Sequence, residues 1–156
     1  MVTNKIMISE DAVFTNLEAS NKEEALRLMS NAFSENGYVN EGYYESILER
    51  EKNAPTGIEA YDFGIAIPHT DPKFVNSDSL GVAVLKDPVQ FHSMVNVKET
   101  IEVKVIFLLG LSKSTKHLNI LRQIMDLIKE EGVLKKMTAM PQKELYQFLQ
   151  NHLKSE

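Results

Sequence analysis

The run Val103-Lys104-Val105-Ile106-Phe107-Leu108-Leu109 constrains the fold more than any other part of this chain. It is too short for a core helix and rich in branched and aromatic residues, which marks a strand. Side chains on a strand alternate faces, so apolar residues at consecutive positions need cover on both faces. The run is therefore expected to be a central strand of a sheet with helices packed on it.

The flanking segments fit that frame. Ile6 to Leu17 is weakly strand-like, with Val13 and Phe14 as its apolar centre. Ser20-Asn21-Lys22-Glu23 reads as a capping box, in which serine and glutamate satisfy orphan N–H groups. Ala25, Leu26, Met29, Ala32 and Phe33 then repeat at helical spacing, and Gly37 is placed to end that helix. A second helix is expected from about Glu41 to Lys52, with Tyr44, Ile47 and Leu48 inward. Pro55-Thr56-Gly57 is a turn signal. Strands are expected at Gly64 to Ile67 and at Gly81 to Leu85, the latter ended by Asp87-Pro88, with a short edge strand from Val89 to Phe91. Ser112 to Thr115 opens a helix expected to run to Glu131 and end at Gly132. A last helix starts near Pro141 and carries Leu145, Phe148 and Leu149. Helices around several central strands indicate an α/β single-domain sandwich, with a mixed central β-sheet flanked by helices over residues 1–156.

Composition narrows the function. A chain of 156 residues with 43% hydrophobic and 25% charged residues fits one globular domain. Its net charge of −5 disfavours nucleic acid as a partner. It has no cysteine, so disulfides, thiolate nucleophiles and cysteine zinc sites are excluded. The first ten residues lack a signal-peptide pattern, and no apolar run approaches a membrane span. The expectation is a cytoplasmic domain with no membrane insertion.

The chemistry points to Gly64-Ile65-Ala66-Ile67-Pro68-His69-Thr70. Ile65, Ile67 and His69 share one face if the strand persists, and Pro68 breaks the ladder beside the histidine. This puts one imidazole where a rigid core meets solvent. Of the four histidines, His92 reads as a surface residue and His152 as part of a solvated tail. His117 lies in the first turn of the long helix, in register with Leu121, Ile124 and Ile128 on the core-facing stripe. That helix end favours an anion, and the crevice at strand C-termini is the usual ligand position in open α/β sheets. If the strands before His69 and before His117 are parallel neighbours, the two imidazoles converge on a helix N-terminus.

A two-histidine metal site with Asp71 is unsupported by spacing, and Asp71 reads better as a loop cap. No GxSxG, GxxxxGK[ST] or GxGxxG occurs, which disfavours a serine hydrolase and direct nucleotide use. A histidine that itself becomes covalently modified fits better, with a second imidazole, helix N–H groups, an arginine or a hydroxyl receiving the charge. No cofactor or metal is called for.

Arg50-Glu51, Pro55-Thr56-Gly57 and Gly64 to His69 resemble the signature of the fructose/mannitol-type enzyme IIA of the bacterial phosphotransferase system. The Val82-to-Leu85 strand leading to Asp87-Pro88-Val89-Gln90-Phe91, the Val103-to-Leu109 strand and the His117-Leu118 pair extend that resemblance over nearly the whole chain. The resemblance implies a phosphoryl relay. The phosphocarrier HPr donates to the enzyme IIA histidine, which passes the group to an enzyme IIB serving a membrane enzyme IIC. It implies His69 as the phosphorylated nucleophile, His117 as the residue stabilising the phosphoryl group, Arg50 as a phosphate contact and Thr56 as a further hydroxyl contact. Pro55 to Ile58 look most like galactitol-type proteins, with fructose or another polyol open. The partners are expected to be separate proteins. A regulatory, nitrogen-type enzyme IIA is the alternative reading of the same site.

Overall fold

The computed structural model describes residues 7–153, and the side chains of residues 7 and 114–117 lie outside the described residues. In chain order the elements are β1 (Met7–Leu17), α1 (Lys22–Glu35), α2 (Tyr43–Asn53), β2 (Gly57–Glu59), β3 (Gly64–Ala66), β4 (Ser79–His92), β5 (Thr100–Gly110), α3 (Ser114–Ile128), α4 (Val133–Thr138) and α5 (Gln142–His152). The strands form one mixed sheet in the order β1-β4-β5-β3-β2. β5 is central, antiparallel to β4 and parallel to β3.

The continuous apolarity of β5 follows from its two covered faces. Val105, Phe107 and Leu109 join Ile65, Ile67 and Val82 in a core closed by Ile120 and Ile124 of α3 and Leu145 and Leu149 of α5. Ile106 and Leu108 face the opposite core, closed by Leu26, Met29 and Phe33 of α1 and Tyr43 and Ile47 of α2. Burying each large apolar side chain contributes about 1.5–3 kcal/mol. The two-sided core therefore anchors β5 and β3.

Four local expectations are corrected. The cap of α1 is Asn21 rather than Ser20: its Oδ1 accepts from Glu24 N–H at 2.9 Å, while Glu24 Oε1 accepts from Ser20 N–H at 2.7 Å. The cap moves one residue on, because asparagine caps as well as serine, and the glutamate reaches back past it to Ser20. In α2 the fully buried tyrosine is Tyr43, with Tyr44 only partly covered. Asp87-Pro88 does not end a strand. β4 runs through it, and the pairing with β5 slips between Val84 and Val89, so the extra residues bulge out exposed. Finally, α3 ends at Ile128, and Gly132, at φ +84°, opens the separate helix α4 instead of closing α3.

Candidate active site

β3 delivers His69 to the end of the sheet. Ile65 and Ala66 pair with Val105 and Ile106, and Leu109 N–H donates to the Pro68 carbonyl at 3.0 Å. Pro68 has no N–H to give, yet its carbonyl carries the ladder one step past the strand. His69 follows directly, half-buried, at the C-terminal edge of two parallel neighbours. This is the arrangement that convergence of His69 with the start of α3 requires.

The imidazole is oriented by its own backbone. His69 Nδ1 lies 3.0 Å from the Ile67 carbonyl oxygen. A carbonyl only accepts, so Nδ1 carries the proton and Nε2 is the basic nitrogen. Burial, the largest influence, pushes the His69 pKa below its ordinary 6.5; the Ile67 carbonyl opposes this, and the positive charge of Arg50 adds to the lowering. The ring is thus neutral at pH 7, the state a nitrogen nucleophile needs.

Arg50 is exposed near the end of α2, within electrostatic reach of His69. Ser46 sits four residues earlier, on the same helix face. Its hydroxyl is in hydrogen-bond contact with the hydroxyl of buried Thr70, the residue after His69. The α2 face that carries Arg50 is thereby tied to the loop that carries His69.

The other wall is the start of α3. β5 ends at Gly110 and α3 begins at Ser114, so the helix N-terminus stands at the same sheet edge as His69. Asp78 fixes the connection: its Oδ1 accepts from Ser112 N–H at 2.7 Å and from Ser112 Oγ–H at 2.8 Å. The backbone of His117 lies in the first turn of α3, and its side chain lies outside the described residues.

Thr56 departs from the expected phosphate contact. It is only 2% exposed. Its hydroxyl donates to Glu51 Oε1 at 2.9 Å and accepts from Ile67 N–H at 3.1 Å. The one proton it could offer a phosphate is committed inward. Glu51 is also buried, and its Oε2 accepts from Thr56 N–H at 2.8 Å. Burial raises its pKa, against the lowering effect of the Thr56 hydrogen bonds and of Lys22 and His92.

The remaining candidates have other roles in the fold. Asp71 accepts from Lys73 N–H at 3.0 Å and caps the 3-10 turn Pro72–Phe74, the loop-cap role. His92 ends β4, exposed, with Nδ1 3.0 Å from the Val97 carbonyl oxygen. His152 is exposed but stacked on Phe148, with ring centroids 4.1 Å apart. Among the described residues no three His, Asp or Glu side chains gather as metal ligands, and no described helix is long and apolar enough to cross a membrane. Ser46, Thr70, Asp78 and the inward role of Glu51 escaped the sequence reading. Only Ser46 carried a usable signal, its spacing of four from Arg50.

Comparison with known proteins bears on the family and the fold. The family described as "Phosphoenolpyruvate-dependent sugar phosphotransferase system, EIIA 2" matches residues 6–152. The chain is 26% identical over 120 residues to the multiphosphoryl transfer protein of Shigella flexneri, covering 76% of this chain but only 14% of that protein. It thus spans about a seventh of the length of the first curated relatives it matches. The mannitol-specific phosphotransferase enzyme IIA component of Halalkalibacterium halodurans is 29% identical over 141 residues, covering 88% of this chain and 89% of that protein. The fold matches that in the solved complex of enzyme IIAMTL and phosphorylated enzyme IIBMTL from Escherichia coli, with TM-score 0.76, 18% identity, and cover of 93% of this chain and 99% of the other.

Proposed function

The chain belongs to the phosphoenolpyruvate-dependent sugar phosphotransferase system EIIA 2 family, and from that premise we propose that His69 is the residue on which it carries a phosphoryl group. The observation that carries this reading is the 3.0 Å contact of His69 Nδ1 with the Ile67 carbonyl. It makes Nε2 the nucleophile of a ring that burial keeps neutral.

The Nε2 lone pair forms the N–P bond as the donor's bond to phosphorus breaks, its electron pair staying on the donor. His69 loses no proton. Nδ1–H remains on the Ile67 carbonyl, which offsets the positive charge the ring gains. Forward transfer reverses the sequence: an acceptor atom attacks phosphorus and the N–P pair returns to Nε2. The protein's part is positioning and charge compensation. Arg50 presents a guanidinium to the phosphoryl oxygens. The N-terminus of α3 adds its dipole, and His117 in its first turn is the proposed second stabilising group.

Phospho-HPr is the proposed donor. The shared fold with an enzyme IIA solved together with phosphorylated enzyme IIB supports an enzyme IIB as the acceptor. Two relatives matched over most of both lengths are mannitol-specific components. That supports transport over regulation, and a polyol such as mannitol or galactitol ahead of fructose.

The test is intact-mass spectrometry after incubation with phosphoenolpyruvate, enzyme I and HPr. Wild type should gain one acid-labile phosphoryl group and His69→Ala none. His117→Ala should still accept it but transfer it poorly. Wild type left unmodified by a cognate HPr, or His69→Ala modified like wild type, overturns the assignment.

A further inference from the structure

We propose that Glu51 and Thr56 are positioning residues for His69, acting through the backbone of Ile67. The inference rests on His69 being the phosphoryl-bearing residue, but its central test does not.

The four residues form one hydrogen-bond chain. Ile67 N–H donates to Thr56 Oγ1, and Thr56 Oγ1–H donates to Glu51 Oε1. Thr56 N–H donates to Glu51 Oε2. The Ile67 carbonyl, on the same residue, receives His69 Nδ1–H. The two backbone N–H links cannot be reversed, and the hydroxyl link runs toward Glu51 when its carboxyl is ionised. A backbone N–H only donates, so Thr56 Oγ1 presents a lone pair to Ile67, and its proton goes to the Glu51 carboxylate. Both Glu51 oxygens then face donors, which favours the ionised carboxylate against the burial that raises its pKa. A group that accepts at both oxygens completes the arrangement.

The geometry explains why this chain matters to His69 in particular. Ile67 lies beyond the last residue of β3, so its N–H is held by a side chain rather than by a neighbouring strand. Thr56 precedes β2, whose Gly57 pairs with Ala66. Glu51 lies on α2 beside Arg50. One buried carboxylate therefore ties the helix that bears Arg50 to the peptide that sets the His69 tautomer. Around metal-bound imidazoles, removing the group that orients the ring costs roughly 10–100-fold, and an effect of that order is expected at His69.

The experiment uses Thr56→Val, Thr56→Ser and Glu51→Gln in the full chain. The readouts are the 15N shifts of the His69 ring without any phosphoryl donor, and the rate of phosphoryl acceptance from HPr. Valine keeps the shape and loses the hydroxyl. Glutamine keeps the shape but offers one acceptor where two donors point. Both should reduce the population with the proton on Nδ1 and slow acceptance about 10-fold or more, while Thr56→Ser stays close to wild type on both. Ring shifts and acceptance unchanged in a folded Thr56→Val or Glu51→Gln protein overturn the proposal. So does a Thr56→Ser variant as impaired as Thr56→Val, which would make the methyl group the cause. If Thr56→Val does not fold, Glu51→Gln decides by the same readouts. Failure of wild type to be phosphorylated removes the functional reading but leaves the ring shifts as a test of the positioning.

Discussion

Gly64 offers a way to move His69 without touching it. This glycine opens β3 where the register with β5 slips, between the pairs Gly64↔Val103 and Ile65↔Val105. A Cβ added there would lie 2.4 Å from the Glu102 carbonyl oxygen and 2.4 Å from Ile101 Cγ2. Contacts under 3.0 Å are essentially never found and ordinary contact begins at 3.4 Å, so β3 and β5 must separate by about 0.6–1 Å. The obstacle is partly backbone and cannot swing away. Such overpacking costs about 1–3 kcal/mol, and at 2–4 °C per kcal/mol for a chain of this size Gly64→Ala should melt about 2–12 °C below wild type. The site should suffer as well, because His69 hangs from β3 while the start of α3 hangs from β5. A displacement near 1 Å of reacting groups can cost about 10²-fold in rate. The assay is a thermal melt together with a time course of phosphoryl acceptance by intact mass. Gly81→Ala is the control: its Cβ would meet Phe33 Cε1 at 3.1 Å and the Ala12 carbonyl at 3.3 Å. It strains β4 against α1 and should lose some stability while keeping the rate. A Gly64→Ala protein with wild-type melting and acceptance would refute the reasoning. Equal loss of rate in both variants would show that the β3–β5 seam has no special hold on the site.

Two further predictions concern charge and the buried hydroxyl of α2. The His69 ring, followed by NMR titration, should show a midpoint below its ordinary 6.5, since burial lowers it most. Acceptance then falls only as pH drops through that midpoint, where protonation removes the Nε2 lone pair; Arg50→Gln removes one lowering influence, so the midpoint should rise while the rate falls, and an unchanged or lower midpoint would count against the proximity of Arg50. Tyr43→Phe removes a buried hydroxyl that donates to the Leu109 carbonyl at 2.7 Å. It should cost about 1–3 kcal/mol because that acceptor stays buried, read as a lower melting temperature with phosphoryl acceptance unchanged.

What was legible in the sequence is what repeats. The apolar run of β5 and the helical stripe of α1 follow from burial, and the stripe of α3 does so in part: Ile124 and Ile128 are buried as expected, but Ile120 and Leu127 complete the buried face and Leu121 is only partly covered. The strand-proline-histidine order placed His69 at a sheet edge because strand length and proline chemistry are local properties. Short elements held by neighbours were not legible. β2 is three residues long and is held by neighbours, antiparallel to β3 and bridged from Gly57 to Ser93, while α4 has six residues, too few to form without the core beneath it. The slip at Asp87-Pro88 is hidden for a related reason: proline forbids a ladder hydrogen bond but not a bulge, and only the long pairing of β4 with β5 selects the bulge.

The site divides along the same line. Arg50 and His69 announce themselves by charge and ring chemistry, whereas Thr56 and Glu51 look like a turn residue and a helix surface charge. Their roles depend on which donor each faces once the chain is closed, and a hydroxyl carries no sign of that in one dimension. The consequence concerns how such a site tolerates change. A phosphoryl relay needs a ring that stays neutral, keeps its proton on one nitrogen and meets two partners in turn. Burial supplies the first property, and many residues of similar size maintain it. The second is held by the Ile67 carbonyl, whose peptide has no strand partner for its N–H and leans on Thr56 instead. Substitutions around the Ile67 peptide should impair transfer well before they impair folding.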